Sequence, residues 1–379
     1  MMLLGMFFQE RKCHQPLLCP SPRRRLGGRN EELQMEPEKT FPAFRTFPAR
    51  MTGMRGTAVI LDFHTHVGDI FPVYRNILIN RSSPPPHYVM ISSKSIEAPE
   101  HLFYRNRPPV LSWKGLKHIA ITLIRRRQTI RGMVLPNLVK DMQSHDITTS
   151  VVLPIEYHDG HDRSTQLINA CQTTKNLFPF CSVHPHDPTC IEKMHRYMQM
   201  GAKGLKLHPT FQQIRPDGRH ATSLYQAYAD YHRPLILHSG LTGREGRFRK
   251  HRTFSSLEYI AAIPAQFPDM PIVLAHSGIS QYHDAIELAK RYHHVYLEVS
   301  GQPAHHIRQA LETIGPKRIL FGSDWPFWNQ GFALHAVRQA VSNDQNAERY
   351  ILGNNAAKLL GVWDKEQPKC TQQPDSNVI

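Results

Sequence analysis

Four apolar runs of strand length each end in histidine or aspartate. They are Asp62-Phe63-His64-Thr65-His66, Leu235-Ile236-Leu237-His238, Val273-Leu274-Ala275-His276 and Leu320-Phe321-Gly322-Ser323-Asp324. The runs stand far apart in the chain, so only a fold that gathers strand ends at one mouth brings their polar residues together. A parallel (β/α)8 barrel does this and carries its chemistry on the rim formed by the C-terminal ends of its strands. The same segments therefore constrain the fold and mark a candidate metal site.

The rest of the chain supplies the repeat that such a barrel needs. Strands are expected at 58–66, 147–155, 177–185, 202–209, 234–240, 270–278, 295–301 and 318–326. Most are near-continuous apolar runs, as suits strands covered on both faces. Helical spacing of apolar residues is expected at 164–176, 190–200, 222–232, 255–267, 284–292 and 304–314. This alternation implies βαβ units with right-handed crossovers. The interval between His66 and Ile147 is longer than one unit requires, and the excess, about 69–135, is an expected insertion after the first strand. It falls on the active-site side, where it can serve as a lid or an oligomer contact. A membrane-surface helix around 113–127 is the less favoured reading of that segment.

Residues 1–55 mix Pro, Arg, Glu and Gly without periodicity and are expected to form a disordered basic tail. Translation beginning at Met51 or Met54 would account for the same pattern. The barrel is assigned to 56–363, and 364–379 to a flexible C-terminal tail.

With 379 residues, 40% of them apolar, the chain can bury one large core and still carry appendages. Its formal charge of +15 gathers in the first 55 residues, including Arg23-Arg24-Arg25, and in 105–131. Charge carried this way belongs to solvated segments, and with no accompanying nucleic-acid motif no specific nucleic-acid binding is expected. The six cysteines form no CxxC pair, which fits reduced packing residues in a cytoplasmic protein. The apolar start at 1–8 is too short for a secretory leader and runs into Glu10, Arg11 and Lys12. No apolar run reaches the ~18 residues of a transmembrane helix.

Side chains two residues apart on a strand share a face, so His64 and His66 can both reach one divalent cation at ~2.0–2.1 Å. His238, His276 and Asp324 at other strand ends strengthen that expectation. Here the chain resembles the amidohydrolase superfamily, specifically the amidohydrolase-related (amidohydrolase 2) group of metal-dependent hydrolases and nonoxidative decarboxylases. The resemblance spans about 58–361 and rests on 62–66, Gly201-Ala202-Lys203-Gly204-Leu205-Lys206-Leu207-His208-Pro209, 235–240, 274–278, 321–327 and Ile351-Leu352-Gly353-Asn354-Asn355-Ala356.

The resemblance implies that His64, His66, His238 and Asp324 hold one divalent metal, and that His276 contacts the substrate or the metal-bound water. Three histidines and an aspartate suit zinc, with manganese, iron or cobalt as alternatives. Lys206 and His208 share a face of the fourth strand. In two-metal relatives a lysine there is carboxylated and bridges the ions. One metal is favoured here, with Lys206 neutralising a carboxylate or serving structure and His208 contacting the pocket. The group commonly forms dimers, so a homodimer is an open expectation.

A divalent cation brings the pKa of its water towards ~7. Asp324 can then accept a proton from that water, and His276 can polarise a carbonyl or stabilise an oxyanion. Glu298 shares a strand face with Tyr296 and Ser300, where it either orients an imidazole or sits as a satisfied interior carboxylate. Trp325 and Phe327 are expected to wall the pocket. His184 and His186 form a second HxH but are assigned to the rim, while His158 and His161 follow the second strand in a loop expected to shape substrate access. Arg244, Arg247 and Arg249 fall in a loop after the fifth strand. His293, His294, His305 and His306 lie in or near helices expected at the surface.

The expected function is metal-dependent hydrolysis of an amide, ester or lactone bond in a small molecule. The alternative is metal-dependent nonoxidative decarboxylation of a small carboxylated substrate. A barrel that binds without catalysis is the third reading, and its mark would be loss of a metal-type residue; all are present.

Overall fold

Among the described residues eight parallel strands form in the expected order, each shorter than the apolar run that predicts it. In chain order they are β1 (Leu61–Thr65), β2 (Thr149–Val152), β3 (Leu177–Pro179), β4 (Leu205–Leu207), β5 (Leu235–His238), β6 (Ile272–Ala275), β7 (Val295–Glu298) and β8 (Ile319–Leu320). The helices are α1 (Leu135–Ser144), α2 (Arg163–Gln172), α3 (Cys190–Gln199), α4 (Pro209–Gln212), α5 (Arg219–Ala229), α6 (Leu257–Ile260), α7 (Ile263–Gln266), α8 (Tyr282–Arg291), α9 (Ala304–Ile314), α10 (Gln330–Val341), α11 (Gln345–Arg349) and α12 (Asn355–Leu360). The computed structural model describes residues 59–71, 79–86, 127–241 and 253–362. The expected tails at 1–55 and 364–379, most of the insertion, and Arg244, Arg247 and Arg249 lie outside the described residues.

The ladders run β1-β2-β3 and β4-β5-β6-β7-β8. Backbone bonds past the strand ends join them. Cys181 N donates to Gly204 O and Lys206 N to Cys181 O, at 2.9 and 2.8 Å. On the other side Phe63 N donates to Phe321 O and His66 N to Trp325 O, at 2.9 and 2.8 Å. The ring closes as a barrel.

Two apolar layers follow. Strand residues such as Leu205, Leu237, Leu274 and Leu297 pack with helix residues such as Met194, Leu224, Ile286 and Ile307. A second cluster, built from strand residues including Leu61, Phe63, Val151, Ile236, Val273 and Leu320 with Ala356 and Leu360 of α12, fills the lumen.

The helix expected at 255–267 is two one-turn helices instead. Pro264 stands at the start of α7 and has no N–H to continue a ladder through that point. Helix α1 closes the expected insertion, with Leu135, Leu138 and Met142 on its buried face. The described ends of the expected insertion pack beside the segments that follow β2 and β8. Ile70, Ile130 and Met133 pack with Ile155 against Phe71, Tyr157 and Phe327. Arg163 Nε donates to Asp69 O at 2.7 Å and Tyr157 Oη to Ile70 O at 2.8 Å, which ties the departing chain to the segment after β2. Among the described residues no helix is long and apolar enough to cross a membrane.

Candidate metal centre and active site

The C-terminal strand ends converge as the sequence requires. His64 and His66 lie at the end of β1, His208 follows β4, His238 ends β5, His276 follows β6, Glu298 ends β7 and Asp324 follows β8. The β1–β2 register shifts between Asp62 and Thr65. His64 and His66 still meet, with their Nε2 atoms 3.1 Å apart. Asp324 Oδ1 stands 3.6 Å from His64 Nε2 and 3.4 Å from His66 Nε2.

Hydrogen bonding fixes where the protons are. His64 Nδ1 donates to Glu298 Oε2 and His66 Nδ1 to Leu153 O, both at 2.7 Å. In the neutral rings both Nε2 atoms then carry lone pairs, and the two atoms face one another and a carboxylate oxygen. Burial holds His64 well below the ordinary imidazole pKa, with Lys206 and His66 adding to the effect. Two imidazole Nε2 atoms and a carboxylate oxygen suit a divalent cation in donor type and spacing. His64, His66 and Asp324 form one compact donor group among the described residues; His64, His276 and Glu298 form another.

Glu298 accepts from His64 and from the backbone and side chains around it. Its Oε1 accepts from Ser300 N at 2.6 Å. Its Oε2 accepts from His64 Nδ1 at 2.7 Å, from His276 N at 3.2 Å and from Ser300 Oγ at 2.9 Å. Because the Ser300 proton goes to Glu298, His276 Nδ1 donates to Ser300 Oγ at 2.7 Å and leaves its lone pair on Nε2. Burial pushes His276 down to about 4, against the opposing pull of Asp324.

His238 reaches the same mouth but stands outside the compact donor group. Its Nδ1 lies 3.1 Å from His276 Nε2, and its ring stacks on His208 with centroids 3.8 Å apart. His208 is buried, accepts from Phe211 N at 3.2 Å and stacks on the Phe211 ring at 4.0 Å. Lys206 is fully buried, and its Nζ has no hydrogen-bond partner. Burial lowers its pKa to about 8 while Asp324 and Glu298 pull it up.

Trp325 is placed differently from the pocket-wall expectation. It is fully buried in the core, and its carbonyl accepts from His66 N at 2.8 Å. Phe327 takes the wall position, with its ring 6.3 Å from His66 and 6.0 Å from Phe71. His184 donates from Nε2 to Gln212 O at 2.8 Å, and His158 and His186 lie against it at centroid distances of 5.6 and 5.4 Å. His306 and His294 are buried rather than superficial, because the stacked ring of Tyr282 and the Pro264 carbonyl respectively cover them.

Sequence reasoning assigned no role to the bonds that hold Asp324 in place. Asp62 is fully buried and accepts from Ser323 N at 2.9 Å, Ser323 Oγ at 2.5 Å, Gln330 Nε2 at 2.7 Å and His64 N at 3.1 Å. Burial pushes its carboxyl up to about 7 in spite of those donors. This clamp fixes β1 to the segment after β8. There Asp324 adopts φ +58 and its N–H donates to His64 O at 2.8 Å. The one available signal was position, since Asp62 stands two residues before His64 and Ser323 one before Asp324.

Gly322 is constrained by space rather than by its own torsions. A Cβ there would fall 2.2 Å from Glu298 Oε1 and 2.9 Å from the His64 Cβ. Gly322→Ala is therefore expected to displace Glu298 from His64 and to weaken retention of a divalent metal by about tenfold or more. Zinc titration against a competing chelator checks this; wild-type affinity in the variant would refute it.

A family profile described as amidohydrolase matches residues 135–362, a span that begins at α1 and leaves β1 outside. No curated protein matches the chain. Among solved structures, an uncharacterized TIM-barrel protein from Bordetella bronchiseptica superposes with a TM-score of 0.54 at 18% identity, over 80% of this chain and 98% of that one. An amidohydrolase from Burkholderia multivorans with bound zinc gives 0.53 at 17% identity, over 80% and 99%. The 5-carboxyvanillate decarboxylase of Sphingomonas paucimobilis gives 0.52 at 13% identity, over 80% and 99%. At these identities the likeness concerns the fold.

Proposed function

This chain belongs to the amidohydrolase family, and on that premise we propose that it is a cytoplasmic metal-dependent hydrolase acting on an amide, ester or lactone bond of a small molecule. The observation that carries the reading is the convergence of His64 Nε2, His66 Nε2 and Asp324 Oδ1. His64, His66 and Asp324 hold the cation in this reading, and His238 joins them from the end of β5. Zinc is the first candidate, as in the Burkholderia amidohydrolase, followed by manganese, iron and cobalt. Once bound, the ion would supply Lewis acidity, which makes a water molecule nucleophilic near neutral pH.

The remaining work falls to the side chains. The Asp324 carboxylate takes a proton from the attacking water and returns it to the leaving group. Glu298 and Leu153 O keep His64 and His66 in the Nδ1–H tautomer, so that their lone pairs point to the ion. His276 presents a lone pair at Nε2 and becomes a donor to an oxyanion only after taking up a proton. Phe71, Phe211 and Phe327 line the approach, where Phe71 lies 5.8 Å from Phe211 and 6.0 Å from Phe327. Three buried, unpaired thiols at Cys171, Cys181 and Cys190 support a reducing compartment.

The second reading is nonoxidative decarboxylation of a small carboxylated substrate, supported by one feature of the site. Lys206 offers an ammonium with no hydrogen-bond partner, close enough to Asp324 and Glu298 for both to act on its pKa. The fold likeness to the Sphingomonas decarboxylase is consistent with it.

Elemental analysis by plasma mass spectrometry is the first test. About one equivalent of a transition metal is expected in the wild type, and none in His64→Ala/His66→Ala. The loaded protein is then offered lactones, esters and amides in one panel and carboxylated aromatic acids in another, with ring opening and CO2 release as readouts. No metal in either protein after reconstitution with zinc and manganese would sink both enzymatic readings. CO2 release without hydrolysis would select the second.

A further inference from the structure

His276 does not reach the mouth on relaxed backbone. It and the three residues after it, Ser277, Gly278 and Ile279, have φ of +59, +44, +79 and +50. Three of the four bear side chains, and Ile279 is β-branched. Left-handed torsions are costly for such residues, and a run of them persists only where the surroundings over-determine it. The turn is closed on itself by Ile279 N donating to His276 O at 2.9 Å and Gln281 N donating to Gly278 O at 2.8 Å. Ser277 Oγ donates to Glu298 O at 3.0 Å.

One side chain reaches both ends of this turn. Gln302 is buried in the segment between β7 and α9, and its Nε2 donates to His276 O at 2.6 Å and to Ile279 O at 3.4 Å. Its Oε1 accepts from His306 Nδ1 at 2.7 Å. Two carbonyls on one side and an imidazole donor on the other leave the amide a single orientation. His306 is itself buried, and its ring stacks on Tyr282 at the start of α8, centroids 3.4 Å apart. The chain of contacts runs from α8 through His306 and Gln302 to the His276 carbonyl.

We propose that Gln302, held in orientation by His306, is the positioning residue that stabilises the left-handed turn 276–279 and so aims the His276 imidazole into the active site. The inference rests on the reading of His276 as a catalytic group. It adds a determinant from outside the rim, with no contact to substrate or metal required. Asparagine in place of His306 keeps an N–H close to where Nδ1 stood, whereas phenylalanine keeps the stacking ring and loses the donor. Glutamate in place of Gln302 keeps the acceptor for His306 but turns an oxygen towards two carbonyl oxygens.

Hydrogen–deuterium exchange on the zinc-loaded full chain tests this without a substrate. In Gln302→Glu and in His306→Phe, amides in 276–281 are expected to exchange about tenfold faster or more, while those of β6 keep their protection. His306→Asn is expected to restore near-native protection. On any substrate turned over, kcat should fall in the first two variants with KM within about twofold, since an aiming defect acts in the transition state. Unchanged exchange at 276–281 in both Gln302→Glu and His306→Phe would overturn the proposal. So would equal loss with His306→Asn and His306→Phe, or loosening spread evenly over α9 and β6. Should His64→Ala/His66→Ala keep its metal, the hydrolase reading falls while the exchange result still decides the role of Gln302.

Discussion

Asp324→Asn is expected to cut turnover by ~10²–10⁴-fold, the range associated with loss of a positioned proton acceptor. The substitution isolates chemistry from folding. Asp324 occupies φ +58, a region that asparagine tolerates nearly as well as aspartate. Its N–H donates to His64 O and its carbonyl accepts from Phe327 N, at 2.8 and 2.9 Å, and both bonds are independent of the side chain. What changes is the group 3.4 Å from His66 Nε2, where a charged acceptor becomes a neutral amide. A neutral oxygen can still approach a cation but cannot take a proton from water. The measurements are kcat on the panel substrate, zinc content and melting temperature. Zinc retained with turnover reduced assigns Asp324 mainly to proton transfer. Zinc lost in parallel assigns it mainly to holding the ion. Turnover within about threefold of wild type, with zinc in place, would remove Asp324 from the mechanism.

The strands were legible because most are near-continuous apolar runs, four of them ending in histidine or aspartate, and a parallel barrel strand must be apolar along most of its length. Their order then placed His64, His66, His238, His276 and Asp324 at one mouth, where the structure has them. Partners were not legible. Glu298 stands 234 positions from His64, and Asp62 stands 261 from Ser323, so no local pattern pairs them. The sequence left Glu298 between two roles, and its bond to His64 Nδ1 could not be read from it.

Burial was misjudged where a residue's cover comes from a different element. His306 has the spacing of a helix surface, yet Tyr282 of α8 closes over it. Trp325 adjoins a candidate ligand, yet it is fully buried and packs in the core. Adjacent residues around a turn face opposite ways, and periodicity says nothing there.

Glu298→Gln should weaken zinc binding by ~10–100-fold, as loss of a group that orients a ligand does, with almost no change in side-chain volume. Every hydrogen bond that reaches Glu298 comes from a donor, namely Ser300 N on Oε1 and His64 Nδ1, His276 N and Ser300 Oγ on Oε2. An amide must place its NH2 against one of those sets. If it faces His64, the imidazole satisfies it only by moving its own proton to Nε2, where the lone pair for the metal should be. If it faces Ser300 N, two N–H groups oppose each other in a site closed to water. Glu298→Leu goes further and leaves three buried N–H groups without acceptors, at ~1–3 kcal/mol each. That variant should lose melting temperature as well as zinc. Chelator competition on the Gln variant, with the melting curve beside it, separates orientation from stability. Wild-type zinc affinity in Glu298→Gln would mean that His64 keeps its tautomer without Glu298. Orientation of the ion's ligands would then have to come from the backbone of β1 itself.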